Sequence, residues 1–338
     1  MRYTSKNAIS ISIEFVHMAL SKLSIEQSKI DDLLHACRIP RHLLNEPCAR
    51  VSLLQFAQLM RGLTLATNDE YIGHGSTVLP MGSLSLLTHW LISAKSLEQA
   101  ADRIPQFYDL LGQGQTIHSD TDRDGIVFEI DLSTSEFHSN VFIAELCFSN
   151  IHRLLCWLAM EIIPIEYVSF QSSEPAYAQD YRLLFFGAPI LFKQTRTQIR
   201  FSHETLKKPV QQTLNNLEPF LKNPNFELLV MDFKADNLAS YVAAEIRQKL
   251  NDMPTLPELA NTMSMKPYTL QRRLANEGIN YLTIKNQVKR DAAIDLLVNT
   301  DLSIEAISTQ LGFSETSPFT RTFKEWTGIP PSAYRKYQ

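Results

Sequence analysis

Two stretches in the last hundred residues share one arrangement of apolar and polar positions. In the later one, residues 303–335, a short helical segment leads through a Gly-Phe turn into a second helix, read over 315–326. There Phe319, Phe323 and Trp326 fall at i, i+4 and i+7, a stripe that predicts burial, while Ser317, Thr320, Arg321 and Lys324 fall largely off it. The earlier stretch opens with Thr255 and Glu258 in capping-box spacing and Pro257 in the first turn, where proline is tolerated. Its second helix, KPYTLQRRLANEG, turns Leu270 and Leu274 inward and leaves Tyr268, Gln271 and Arg272 outward, with Gly278 placed to end it. Between the two, YLTIKNQVKRDAAIDLLVNT predicts a longer helix with Ile284, Val288, Ala292 and Leu296 along one side.

Either hairpin alone is compatible with a plain pair of helices carrying a solvated polar face. Two with the same polar logic, about 255–278 and 303–327, are better read as helix-turn-helix units on one stiff connector. Arg272 and Arg321 then occupy comparable outward places, as reading helices in successive major grooves about 34 Å apart require.

Upstream the periodicity is mixed. Residues 8–66 carry apolar positions at helical spacing, interrupted by a turn around 40–47; helices over 83–95 and 96–111 follow, the second with Ser96 and Gln99 in capping-box spacing. GQTIHSD and GIVFEIDL then alternate with period 2 around the turn TDRDG, predicting two strands. A long apolar helix over about 138–162, a strand at IEYVSF, a helix ending at Gly187 and a strand pair at ILF and TQIRFS complete an α+β half. Pro219 and Pro224 interrupt the helical segment 209–234. The expected organisation is an α+β domain, 1–235, joined near Ala235–Asn237 to an all-α DNA-binding domain, 236–338.

Hydrophobic residues at 44% and charged residues at 20% describe a globular chain. No run of eighteen apolar residues occurs and MRYTSKNAIS lacks the apolar core of a secretory signal, so a cytoplasmic location without membrane association is expected. Cys37, Cys48, Cys147 and Cys156 have no metal-finger spacing and read as reduced, mostly buried thiols; no metal or cofactor is expected. The net charge of −4 argues against a nucleic-acid partner only until it is divided. From Asn237 onward there are 12 Lys and Arg against 10 Asp and Glu, and between 266 and 290 six cations (Lys266, Arg272, Arg273, Lys285, Lys289 and Arg290) face Glu277 alone. Such local charge, screened over about 10 Å, matters more to DNA than the sum over the chain.

Residues 237–338 resemble the DNA-binding domain of the AraC/XylS family of bacterial transcription regulators. The resemblance is carried by Leu259-Ala260, Met265, LQRRL from Leu270, Ile304, Ile307, LGFSE from Leu311, SPFTRTFK from Ser317, WTG from Trp326 and PSAYR from Pro331. It implies base reading by Tyr268, Gln271 and Arg272 in the first unit and by Thr316, Ser317 and Arg321 in the second. Arg suits the O6/N7 edge of guanine and Gln the N6/N7 edge of adenine. Lys266, Lys324 and Arg335 fit phosphate contacts, which position without specifying. Lys266 stands where the family usually has a capping Ser, Tyr268 where Arg or Trp is common, and Ser308 where a small apolar Ala is usual; Pro318 forfeits an N–H near the start of the second reading helix.

Residues 15–210 resemble, less specifically, the N-terminal domain of the subgroup that contains ornithine-utilisation and virulence regulators. The "arabinose-binding" label of that domain implies no sugar here. The resemblance implies an activator that dimerises, responds to a small molecule or a partner, and works with RNA polymerase at double-stranded promoter DNA. His89, Trp90, Phe107, Tyr108, Phe142 and Trp157 are candidate effector-pocket residues, although aromatics of this kind are more often plain core. Two alternatives stand beside this reading. One is a constitutive DNA binder whose N-terminal half only dimerises. The other is an enzyme tethered to DNA, for which Pro47-Cys48-Ala49-Arg50 is the nearest thing to the reactive-cysteine motif of alkylation-repair proteins but lacks its His.

Overall fold

The computed structural model describes residues 9–75, 77–112, 117–131, 141–230 and 238–335. Packing divides the chain into two compact units, one of Met1–Val16, Asp31–Phe56 and Lys234–Gln338, the other of His17–Ile30 and Ala57–Phe233. Two N-terminal segments therefore pack with the C-terminal hundred residues. The expected join at Ala235–Asn237 lies outside the described residues.

In the first unit, Ser10–Ser12 (β1) pairs antiparallel with Arg50–Ser52 (β2), Ile11 opposite Val51. Helical spacing suggested helix here, and it does begin at Ile13, but the Ile-Ser alternation just before it has period 2 and finds a β-branched partner in Val51. The C-terminal helices of this unit are Leu238–Gln248, Leu256–Thr262, Pro267–Asn276, Tyr281–Asn299, Ile304–Gln310, Thr316–Thr327 and Pro331–Arg335. Ala239, Val242, Ile246, Leu259, Ala260, Leu270, Leu274, Ile284 and Val288 form one core among the first four of these. Phe313, Phe319, Phe323 and Tyr334 form a ladder of rings from the last two and the turn before Thr316–Thr327, with successive centroids 5.5, 5.8 and 5.1 Å apart.

In the second unit, His118–Thr121 (β3), Gly125–Glu129 (β4), Tyr167–Ser169 (β5), Ile190–Leu191 (β6) and Gln198–Ser202 (β7) form one sheet in the order β3-β4-β7-β5-β6, antiparallel except for β5 and β6. The expected pairing of β6 with β7 does not form, because β5 lies between them. Ile126, Phe128, Ile199 and Phe201 alternate inward and are fully buried. They belong to the same core as Val141–Ala159, whose His152 ring stacks 6.1 Å from that of Phe201. Val141–Ala159 is long and apolar enough to cross a membrane on length and composition alone, but 83% of it is buried within the unit, as a central core helix would be. The Ser96 hydroxyl accepts from Gln99 N–H at the start of Leu97–Leu110, the cap its spacing predicts.

Candidate nucleic-acid interface

The two helical hairpins are built to one plan. Thr255 and Ser303 cap Leu256–Thr262 and Ile304–Gln310, accepting from the N–H of Glu258 and of Ala306; the first cap is a complete capping box. The turns match bond for bond. Ser264 N–H donates to Asn261 O at 3.0 Å and Met265 N–H to Ala260 O at 2.8 Å; Gly312 N–H donates to Thr309 O and Phe313 N–H to Ser308 O, both at 3.0 Å. Every partner is 48 positions along. The outer helices start 49 apart, at Pro267 and Thr316, so the second motif carries one extra residue between its turn and its reading helix.

That offset of 49 superposes Leu270 and Leu274 on Phe319 and Phe323, all fully buried, and Arg272 on Arg321, both exposed. It also pairs Tyr268 with Ser317 and Gln271 with Thr320. Sequence reading left Thr320 unassigned; aligning the two buried stripes is the signal that finds it. Tyr268 is 71% exposed, a large aromatic ring presented to solvent. Gln271, Ser317, Lys266 and Lys324 are exposed, and Thr316, the first residue of its helix, is half-buried. Trp326, expected to complete the buried stripe, is only half-buried. Arg335 lies off the exposed face: its Nε and Nη2 are shut from solvent and meet no hydrogen-bond partner among the described residues.

The departures from the family pattern have local consequences. No side chain caps Pro267–Asn276 at Lys266 or Thr316–Thr327 at Glu315. Pro267 and Pro318 sit in the first turns, where the missing N–H has no helical partner to lose. The buried Ser308 hydroxyl donates to Glu315 O at 2.9 Å, so the inner helix of the second motif holds the end that lacks a cap.

The expected positive patch is smaller than its sequence suggests. Lys266, Arg272 and Arg273 are exposed. Arg290 Nε lies 3.1 Å from Asp291 Oδ1, an acid just beyond the window, and Lys289 Nζ sits 4.3 Å above the Phe313 ring. Burial, with Lys285 nearby, pushes the Lys289 pKa down. Glu277, the one acid inside the window, accepts from the N–H groups of Leu238 and Ala239 at 3.0 Å, anchoring the positive end of Leu238–Gln248.

The connecting helix Tyr281–Asn299 spans about 28 Å at 1.5 Å per residue. Ile284, Val288, Ala292 and Leu296 are buried as expected, but so is every residue from Asp291 to Val298. Part of the additional cover comes from the N-terminal segments. Ser10 Oγ donates to Asp291 Oδ1 at 2.5 Å, and Arg38 Nη1 donates to Val298 O at 3.1 Å.

The expected effector residues are dispersed in the second unit. His89 is exposed, its Nδ1 2.9 Å from Ser85 O; Trp90 lies under Arg103, 5.5 Å from the ring centre. Phe107 and Phe142 are core, Phe142 packing 4.9 Å from His74, and Trp157 stacks 4.3 Å from Phe220. Of the six, Tyr108 lines a cavity of about 20 Å³ with Glu70, Tyr71 and Asn150, room for about one water. All four cysteines are free thiols; burial raises Cys37 to about 11 and Cys147 and Cys156 to about 12. Among the described residues no group of three or more His, Cys, Asp or Glu could hold a metal.

Two capped helix pairs on one connecting helix, each with an outward arginine opposite a buried stripe, define a double helix-turn-helix DNA-binding regulator. The family description "Arabinose-binding domain of AraC transcription regulator, N-term" matches residues 28–210, and "Helix-turn-helix domain" matches residues 259–337. The chain belongs to the AraC family of transcription regulators. It is 25% identical to the Ornithine utilization regulator of Pseudomonas aeruginosa over 305 residues, 90% of each chain, and 27% identical to the regulator VqsM of the same species over 213 residues, 60% of this chain and 61% of that one. Among solved structures, the transcriptional regulator CdpR of Pseudomonas aeruginosa aligns over 91% of this chain and 97% of its own, at 20% identity and a TM-score of 0.32.

Proposed function

We propose that this regulator is a cytoplasmic, dimeric activator whose N-terminal half responds to a small molecule or a partner and whose DNA-bound form works with RNA polymerase. Each protomer places Arg272 and Arg321 in successive major grooves on one face of a site of roughly 20 bp. The observation that carries this is the equivalence of Arg272 and Arg321: each is exposed, two residues after and two before a fully buried stripe position of its helix. Tyr268 and Gln271 read beside Arg272, and Thr316 and Ser317 beside Arg321, with Thr320 added by its register with Gln271. Lys266 and Lys324 hold phosphates; Arg335, with most of its guanidinium enclosed, fits that role less well. The Pseudomonas relative is named for ornithine utilisation, which supports a metabolite-linked role here.

The test is footprinting on a duplex selected by the wild-type protein from random sequence. Arg321→Ala and Arg272→Ala are expected to relax base preference at separate places about one helical turn apart, each losing about 1–3 kcal/mol. A footprint and base preference unchanged by Arg321→Ala reject the assignment. For sensing, native mass spectrometry looks for a co-purifying small molecule, and DNA affinity is compared before and after its removal; unchanged affinity supports constitutive binding instead.

A further inference from the structure

The Pro47-Cys48-Ala49-Arg50 stretch ends in a buried arginine for which neither DNA reading nor effector binding has a use. We propose that Arg50 is a positioning residue for DNA recognition, fixing the pose of the second reading helix, Thr316–Thr327, and not that of the first. The proposal rests on the DNA-reading assignment above.

Arg50 is 3% exposed and works in two directions. Through its side chain, Nε donates to Ser10 Oγ and Nη2 to Ser10 O, both at 2.8 Å; Ser10 Oγ in turn donates to Asp291 Oδ1 at 2.5 Å, and Asp291 accepts from Arg290 Nε at 3.1 Å. The register explains the reach: Ser12 stands opposite Arg50, so Ser10 is the diagonal neighbour two positions along β1. Through its backbone, Arg50 N–H donates to Tyr334 Oη at 2.9 Å while Tyr334 Oη donates to Arg50 O at 2.7 Å. The Tyr334 ring meets Phe323 edge-on, at 5.1 Å and 84°.

Arg50 thus ties together the connecting helix, through Asp291, and the C-terminal helix Pro331–Arg335, through Tyr334. Both pack against Thr316–Thr327. The first reading helix belongs to a different core, built from 239–288, in which neither β1 nor β2 takes part. A buried arginine held by a serine hydroxyl and a carbonyl is costly to disturb, because removing it leaves Ser10 Oγ and Ser10 O without their donor in a buried place. The connecting helix lends Ile284 and Val288 to that core, so it is the Tyr334 arm that directs the consequence to the second motif.

The experiment uses the full-length protein and the selected duplex, with the second half-site defined as the one whose protection Arg321→Ala alters. Arg50→Met keeps the stem and removes the charge. It is expected to weaken binding about tenfold, to the level wild type shows for a duplex with that half-site scrambled, and to lose protection over that half alone. Arg50→Lys is expected to restore part of it. Tyr334→Phe, which removes only the two hydrogen bonds to the Arg50 backbone, gives the same one-sided loss in a milder form and serves if Arg50→Met does not fold. Equal loss over both halves, or a footprint like wild type in Tyr334→Phe, overturns the proposal. Failure of the wild-type protein to select any duplex rejects the DNA-reading assignment instead.

Discussion

Ser308 and Glu315 are joined across the turn of the second motif, hydroxyl to carbonyl at 2.9 Å, while the corresponding residue of the first motif is Ala260. The family's usual alanine at this place makes Ser308→Ala a small change with a readable effect. It is expected to lower unfolding stability by about 1 kcal/mol, the net worth of a buried hydrogen bond, seen as a lower urea midpoint at unchanged slope. Because Glu315 has no cap of its own, the loss should also weaken protection at the second half-site.

Gly312 and Gly278 both sit in the left-handed region, at φ +72° and +70°. A Cβ on Gly278 meets open space, whereas on Gly312 it would lie 2.8 Å from Asn251 O. Gly278→Ala is therefore expected to cost about 1–2 kcal/mol from backbone conformation alone. Gly312→Ala should cost clearly more, because backbone must shift as well. Parallel thermal melts compare them, and equal midpoints would contradict the close approach.

Glu145, on the core helix Val141–Ala159, accepts from the hydroxyls of Tyr181 and, at 3.0 Å, Tyr177. Burial outweighs both bonds and lifts its pKa to about 7. The folded state thus holds this proton more tightly than the unfolded chain, so the associated stability is complete below pH about 4.5 and is lost as pH rises through 7. Glu145→Gln should flatten the decline of stability between pH 5 and 7.5, by at most about 3 kcal/mol. Chemical denaturation at several pH values checks it.

Lys324 and Arg321 lie three residues apart but differ in proposed role. Lys324→Ala is expected to weaken binding to all sequences alike and to reduce the salt dependence of affinity by about one counterion. Arg321→Ala should also alter which base is preferred. Binding titrations over a range of salt on matched and mismatched duplexes separate the two.

The helix-turn-helix pair was legible because its signals are local: one capping box, a glycine turn and stripes at i and i+4. The extra residue in the second motif was present in the sequence too, but it emerges only when both buried stripes are aligned, and Thr320 was overlooked with it. What the sequence hid depends on partners far along the chain. β1 is three residues long and is a strand because Val51, forty positions away, lies opposite Ile11. The charge patch was overcounted because the window stopped at Arg290, one residue short of the acid that holds it. Which aromatics pack in the core is likewise set by distant partners, as when Trp157 stacks on Phe220.

The burial of every residue from Asp291 to Val298 bears on protein engineering. A chimaera that grafts residues 237–338 onto a foreign sensor would carry a connecting helix stripped of its N-terminal cover, with Asp291 losing Ser10 and the Val298 carbonyl losing Arg38. Such a graft should be poorly soluble even with both reading helices intact. A transplantable reader would need residues 9–16 and 31–56 rebuilt alongside it.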